Sequence, residues 1–286
     1  MIPLGARRTC GTAAAIALAI AIDAGAHLRA SRFGGQAQQP AAPAPGSARA
    51  TAPLDLSGMW VSVVTEDWRW RMTTPARGDV LGVPVNPNGQ KVAETWDYAR
   101  DMAAGNQCKA YGAGGIMRMP TRLRIGWQDD NTLKVDTDAG QQTRLLHFDR
   151  AAAAGPRTLQ GHSTAEWVDV FGARAAGRGA GAGRGAPPAY GTGALRVVTT
   201  NLREGYLRKN GVPYSQNAVV TDYFDRVPGP DGAQWLVVKT TVEDTAYLAQ
   251  PYLSSAHFMR EPDASKWRPS PCEVDPPLVP AKSDVR

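Results

Sequence analysis

Three groups of residues in this chain have the types needed for chemistry. The first is His162 with Glu166, an imidazole and a carboxylate close enough in sequence to share a proton near neutral pH. On a straight strand, positions four apart share a face but lie about 13 Å apart, at ~3.3 Å per residue. The two could therefore meet only across a bend, and they could not hold one metal between them. The second group is Glu243-Asp244, followed by Tyr247, Tyr252 and His257. Carboxylates at a strand end that face a histidine can serve as general acid and base. The same residues also make an ordinary solvated turn, with Asp244 capping the segment Thr245–Tyr247. The third group runs from Tyr206 through Arg208 and Asn210 to Tyr214. Tyr206 and Arg208 share a face if extended, and Asn210-Gly211 makes a tight turn. Such a cluster can orient a polar ligand group at a barrel mouth, or it can be a structural corner tied down by tyrosine hydroxyls. The catalytic candidates are thus His162, Asp244 and His257. The ligand-binding candidates are Tyr206, Arg208, Asn210, Tyr214, Glu166 and Tyr247.

The sequence has no Gly-x-Ser-x-Gly elbow, no phosphate loop and no HExxH-like spacing, and its remaining histidines are scattered. Neither a metal nor another cofactor is expected.

The elements that must carry these residues read mostly as strands. Segments 57–65, 121–127, 132–136, 142–148, 195–201, 218–224, 234–242 and 253–259 are short and rich in Val, Leu, Thr and aromatic residues. In one of them Leu123, Ile125 and Trp127 fall on one face, and Arg122 and Arg124 on the other. Turn sequences such as Asp129-Asp130-Asn131 and Asp138-Ala139-Gly140 separate them. One helix is expected, with Asn86 as cap and Pro87 in the first turn. In it Val92, Trp96, Ala99 and Ala103 recur at helical spacing, and Gly105 ends it. This pattern predicts a mainly β protein, an antiparallel barrel or, alternatively, a β-sandwich. The barrel is preferred because closure removes exposed edges and can enclose one small ligand.

The first residues have the three parts of a secretory signal over 1–26. Arg7 and Arg8 are followed by an apolar run from Gly11 to Ile22 and by small residues at Ala24-Gly25-Ala26. The run is shorter than the roughly 20 residues a spanning helix needs, so no stable membrane anchor is expected once the signal is cleaved, and the protein should be periplasmic or secreted. Residues 27–53 are rich in Ala, Gln and Pro and read as a disordered tether. A single domain follows over 54–273. It is interrupted by a disordered Gly/Arg-rich insertion at 172–193 and ends in a Pro-rich tail, 274–286.

The net charge of +6 does not indicate a nucleic-acid partner. Residues 1–50 hold five Arg against one Asp, and 172–193 adds three Arg with no acid, which leaves about −1 for the folded body. Of three cysteines, Cys10 lies in the signal, so Cys108 and Cys272 remain as an even pair in an oxidising compartment. A disulfide between them closes a long loop, worth up to about 4–5 kcal/mol in the chain-entropy model.

Two resemblances bear on the fold. Gly58-Met59-Trp60 is similar to the Gly-x-Trp signature of lipocalins, in which the tryptophan plugs one end of a barrel. A broader set runs through residues 55–272. It comprises Cys108-Lys109-Ala110-Tyr111-Gly112, Met119-Pro120, Gly161-His162-Ser163 with Trp167, Asn210-Gly211-Val212-Pro213-Tyr214-Ser215, Val242-Glu243-Asp244, and Tyr247 to Pro251. Together these resemble a large family of secreted bacterial β-rich proteins of unknown function, abundant in acidobacteria and proteobacteria. In that family the tryptophan usually opens a Trp-Glu-Gly-Asp strand, whereas here Val168-Asp169-Val170-Phe171 comes after it. The resemblance implies an extracytoplasmic β fold and carries no reaction.

Two functions fit these readings. One is a barrel that binds a small, partly apolar molecule. The other is a cofactor-free lyase, isomerase or hydratase that moves protons with His162, Asp244 or His257 and stabilises negative charge with Arg208 or Tyr206. Convergence of these side chains on one pocket would favour the enzyme.

Overall fold

The protein is described from a computed structural model that covers residues 42–168, 193–229 and 232–277. The expected signal, the first part of the tether, nearly all of the Gly/Arg-rich insertion and the end of the tail lie outside the described residues.

Nine strands close into a barrel in the order β1-β11-β10-β9-β6-β5-β4-β3-β2, and β7 and β8 form a separate two-stranded ribbon. The barrel strands are β1 (Gly58–Val63), β2 (Arg122–Asp129), β3 (Thr132–Thr137), β4 (Thr143–His147), β5 (His162–Val168), β6 (Ala194–Thr200), β9 (Val219–Pro228), β10 (Gln234–Glu243) and β11 (Tyr252–Glu261). The ribbon is Gly205–Tyr206 with Pro213–Tyr214. Alternation along each strand sorts side chains inward and outward. On β2, for example, Leu123 and Ile125 are buried while Arg124 is exposed.

The expected barrel is present, with one departure from an all-antiparallel ring. β4 and β5 run parallel and pair only at Leu146↔Ser163 and His147↔Thr164. Parallel neighbours need a crossover connection, and residues 148–161 supply it. The expected single helix is also divided. α2 (Pro87–Thr95) starts as predicted, with the Asn86 side chain accepting from Gly89 N at 2.9 Å. It stops at Trp96, whose backbone turns extended, and α3 (Tyr98–Ala103) begins afresh from Asp97, which caps Arg100 N at 2.8 Å. The break is held because the Trp96 indole donates to Asp101 at 2.7 Å and its ring lies against Gly211, where any Cβ would collide with it. With α1 (Trp68–Arg71) and two short 3-10 turns over Asn106–Tyr111 and Ile116–Arg118, these helices fill the β1–β2 connection and cap one end of the barrel. None of the described helices is long and apolar enough to cross a membrane.

Residues 42–53 depart from the tether reading, because they are folded against the opposite end. Ala44 N and Ala48 N donate to Asp130 and Asn131 of the β2–β3 turn, and the Trp167 indole donates to Ala48 O at 3.1 Å. Hydrogen bonds to a turn and to a core tryptophan order a segment whose composition alone offers little to bury.

The lumen is filled. Trp60, Leu123, Leu133, Leu146, Leu195, Phe224, Leu236 and Phe258 form one apolar core within it. A second core around Leu202, Leu207, Val212, Tyr214, Val220 and Val242 lies toward the helical cap. Between them runs a polar layer. Arg144 on β4 donates to Asp222 on β9 at 2.8 Å and to Thr199 on β6 at 3.1 Å. Thr240 on β10 donates to Asp222 at 2.5 Å, and the Ser163 and Thr199 hydroxyls share a hydrogen bond at 2.7 Å. The Arg144 and Asp222 side chains are almost wholly buried. The predicted disulfide joins Cys108 to Cys272 and fastens the helical cap to the segment after β11.

Two outcomes test this arrangement. Removing one partner of a buried ion pair leaves an uncompensated charge, so Asp222→Leu should cost about 3–5 kcal/mol. Asp222→Leu combined with Arg144→Met should cost less than Asp222→Leu alone, as read from urea unfolding. Simple additivity of the two would contradict a coupled pair.

The second outcome concerns pH. On the outer face of the parallel seam, His147 and His162 stack with ring centroids 5.3 Å apart. Burial pushes the His147 pKa below its ordinary value and the neighbouring His162 lowers it further, with Asp129 and Asp149 opposing more weakly. The folded state therefore takes up this proton less readily than the unfolded chain. Its stability is intact above the ordinary histidine pKa of ~6.5 and falls as pH drops through the lower folded-state value. Thermal unfolding should show this loss in mildly acidic buffer, and His147→Gln should flatten it.

Candidate functional site

At the helical end, a cleft of about 310 Å3 opens between the cap and the start of β11. Five separate stretches build it. Glu66 and Asp67 follow β1, Trp70 lies on α1, Leu81 and Gly82 precede α2, and Arg118 ends the second 3-10 turn. Arg208 comes from the turn of the β7–β8 ribbon, and Tyr252 to Ser255 open β11.

Each side chain is set in place by local bonds. The Trp70 indole and Arg69 both donate to Asp79 at 3.0 Å, and this fixes α1 against the loop that carries Leu81. Asn210 steadies that loop from beneath, donating to Ala76 O at 2.8 Å and Asp79 O at 2.9 Å. The ribbon turn that presents Arg208 closes through Leu207 N to Val212 O at 2.7 Å and relies on Gly211 at φ 77°. Asp67 also adopts a left-handed backbone, at φ 53°. For a residue other than glycine this is an uncommon conformation, of the kind that collects at functional sites.

The electrostatics of the cleft are uneven. Arg71 is held by Glu66 at 2.8 Å and donates to Arg118 O at 2.9 Å. Arg118 is held by Asp67 at 2.6 Å. Arg208 has no carboxylate partner among the described residues. It is 4 % exposed, donates from Nη2 to Leu81 O at 2.7 Å, and lies over the Trp70 ring at 5.1 Å. Its Nε and Nη1 are buried without an acceptor; the Tyr252 hydroxyl is close enough to interact but forms no aligned hydrogen bond. Burial pulls the Arg208 pKa below the ordinary guanidinium value, and nearby Arg118 adds to this, although the group stays charged. Apolar surface frames this charge, since Leu81 and Leu253 at the rim are 65 % and 69 % exposed.

The residues expected to act together are dispersed. His162 is on the outer face of β5, and Glu166, on the same face, is bound by Arg150 at 2.6 Å and Arg196 at 2.8 Å. Burial raises the Glu166 pKa, but these two arginines outweigh it and hold the carboxyl below its ordinary value. Asp244 accepts from Ser215 N at 2.6 Å and from Ser215 Oγ at 2.8 Å, and it caps its own turn by accepting from Ala246 N at 3.1 Å. His257 points outward from β11, its Nδ1 3.4 Å from Glu66. Tyr206 is tied to Asp101, and burial raises its pKa well above the ordinary phenol value. Tyr214 is fully buried against Gly112 and Gly205, where a Cβ on either would overlap its hydroxyl. Tyr247 docks by its backbone, its carbonyl accepting from Asn86 N at 2.9 Å. Of the nine candidates, only Arg208 lines the cleft, with His257 at its edge and Asn210 supporting it.

Sequence reasoning passed over Glu66, Asp67, Trp70, Arg118 and Leu253. A signal was present in Glu66-Asp67-Trp68-Arg69-Trp70-Arg71, which alternates charge and tryptophan too densely for a plain turn.

A larger cleft of about 420 Å3 lies at the other end, between segment 43–57 and Trp127. Its arginines are already engaged, Arg226 with Asp55 O at 3.0 Å and Arg49 with Asp130. Among the described residues, no cluster of three or more His, Cys, Asp or Glu could hold a metal ion. No protein-family model, curated protein or solved structure matches this chain.

Proposed function

We propose that this chain is an exported β-barrel protein that binds a small, partly apolar molecule in the cleft at its helical end. One observation carries the reading. The cleft sets Trp70, Leu81 and Leu253, among polar neighbours such as Ser254 and Ser255, beside a buried arginine that has no ion-pair partner among the described residues, and a few fixed polar groups set against apolar and aromatic side chains are usual in a ligand site. Its volume lies at the small end of the range for such sites. Export is supported by the signal-like residues 1–26, by the secreted family that the chain resembles, and by the Cys108–Cys272 disulfide, which suits an oxidising compartment.

A second reading, a cofactor-free lyase, isomerase or hydratase, draws on His257 and Glu66 at the cleft edge, 3.4 Å apart. That couple could move one proton at a bound substrate.

The mature protein, screened against a metabolite panel, should gain thermal stability from at least one ligand, and Trp70→Ala should reduce that gain. Absence of any shift across amphipathic compounds would count against binding. Turnover that is lost in His257→Gln would select the second reading. Separately, protein recovered from periplasm or medium should begin near His27, and an intact Met1 there would contradict a cleaved signal.

A further inference from the structure

The charges around the cleft specify more than a partly apolar ligand. Three guanidinium groups meet there, from Arg71, Arg118 and Arg208. Two have carboxylates of their own, Glu66 and Asp67. Arg208 forms no ion pair among the described residues, since nearby Asp79 is held by Arg69 at 3.0 Å, and its Nε and Nη1 have no aligned acceptor although the Tyr252 hydroxyl is close. The site therefore carries one surplus positive charge, buried at its floor and set against an aromatic ring. A buried guanidinium without an anion is costly. The cost is kept in the free protein.

We infer that the ligand of this cleft is an amphipathic monocarboxylate, whose acid group compensates Arg208 and whose apolar body lies along Trp70, Leu81 and Leu253. The inference rests on the binding reading above. A single surplus charge matches a singly charged head group. A charge-assisted contact in a poorly solvated site is also stronger than one to a neutral amide. The Arg208 donors are covered in the free protein, so an acid reaches them as side chains at the rim move aside. Leu81 and Leu253, both largely exposed, have the room to do so.

The test uses matched pairs that differ only in charge: octanoate with octanamide, and 3-phenylpropionate with 3-phenylpropionamide, titrated calorimetrically into the mature protein. At least one acid should bind about tenfold or more tightly than its amide, equivalent to ~1.4 kcal/mol. Arg208→Gln should bring the acid down to the affinity of the amide. Because that change is buried, Leu253→Asp provides a second variant on an exposed strand position. It should weaken the acid more than the amide, since a new carboxylate at the rim repels only the charged ligand. Equal affinity for acid and amide would overturn the carboxylate inference and leave the binding reading standing. Binding of neither would overturn both. Acid binding indifferent to Leu253→Asp would place the acid elsewhere and overturn the inference.

Discussion

The ion pair between Arg144 and Asp222 is the constraint around which this barrel is arranged. It joins strands that are not neighbours, β4 and β9, through the lumen itself. Two charges taken out of water in this way cost least where their remaining hydrogen-bonding capacity is met, and here it is met only in part, since Arg144 Nε and Nη1 have no acceptor among the described residues. Thr199 and Thr240 meet part of it from the intervening and following strands. The layer divides the interior into an aliphatic and aromatic core on one side and a second core under the helical cap on the other. Among the described residues this interior is occupied by packed side chains. The site accordingly lies outside the ring, where the cap meets β11.

That location explains how the cleft is built. No strand face supplies it. It is assembled from the β1–β2 connection, the ribbon turn and the first residues of β11, and short bonds pin the first two to each other. The disulfide fastens the same cap to the C-terminal segment, so the parts that frame the cleft have a covalent tie to the rest of the fold. The left-handed Asp67 and the uncompensated Arg208 are both costs to stability. They lie within one cleft.

Much of the scaffold was legible in the sequence, for physical reasons. Alternation at Leu123 and Ile125, turn residues at Asp129 to Asn131 and the Asn86-Pro87 helix start are local signals, and each produced the element expected. Cysteine parity was sufficient for the disulfide. The break at Trp96 was not legible, because it depends on Gly211, which is distant in sequence. Nor was the ordering of residues 42–53, which relies on partners in the β2–β3 turn. The site was legible only at Arg208. His162, Asp244 and Tyr214 have the right chemistry for a site, yet their partners, visible only in the fold, employ them structurally. Residue type predicts capability, whereas partners decide use.

The parallel pairing of β4 with β5 has a topological root. Around any closed ring of strands, direction can alternate without fault only if the number of strands is even. This ring has nine, so one pair of neighbours must run the same way, and the crossover at 148–161 is the consequence. The mismatch can be moved to another seam, but it cannot be removed while nine strands close. A descendant that gained or shed one barrel strand would be free to discard the crossover. One that kept nine would have to retain a crossover somewhere, however far the rest of the sequence drifted.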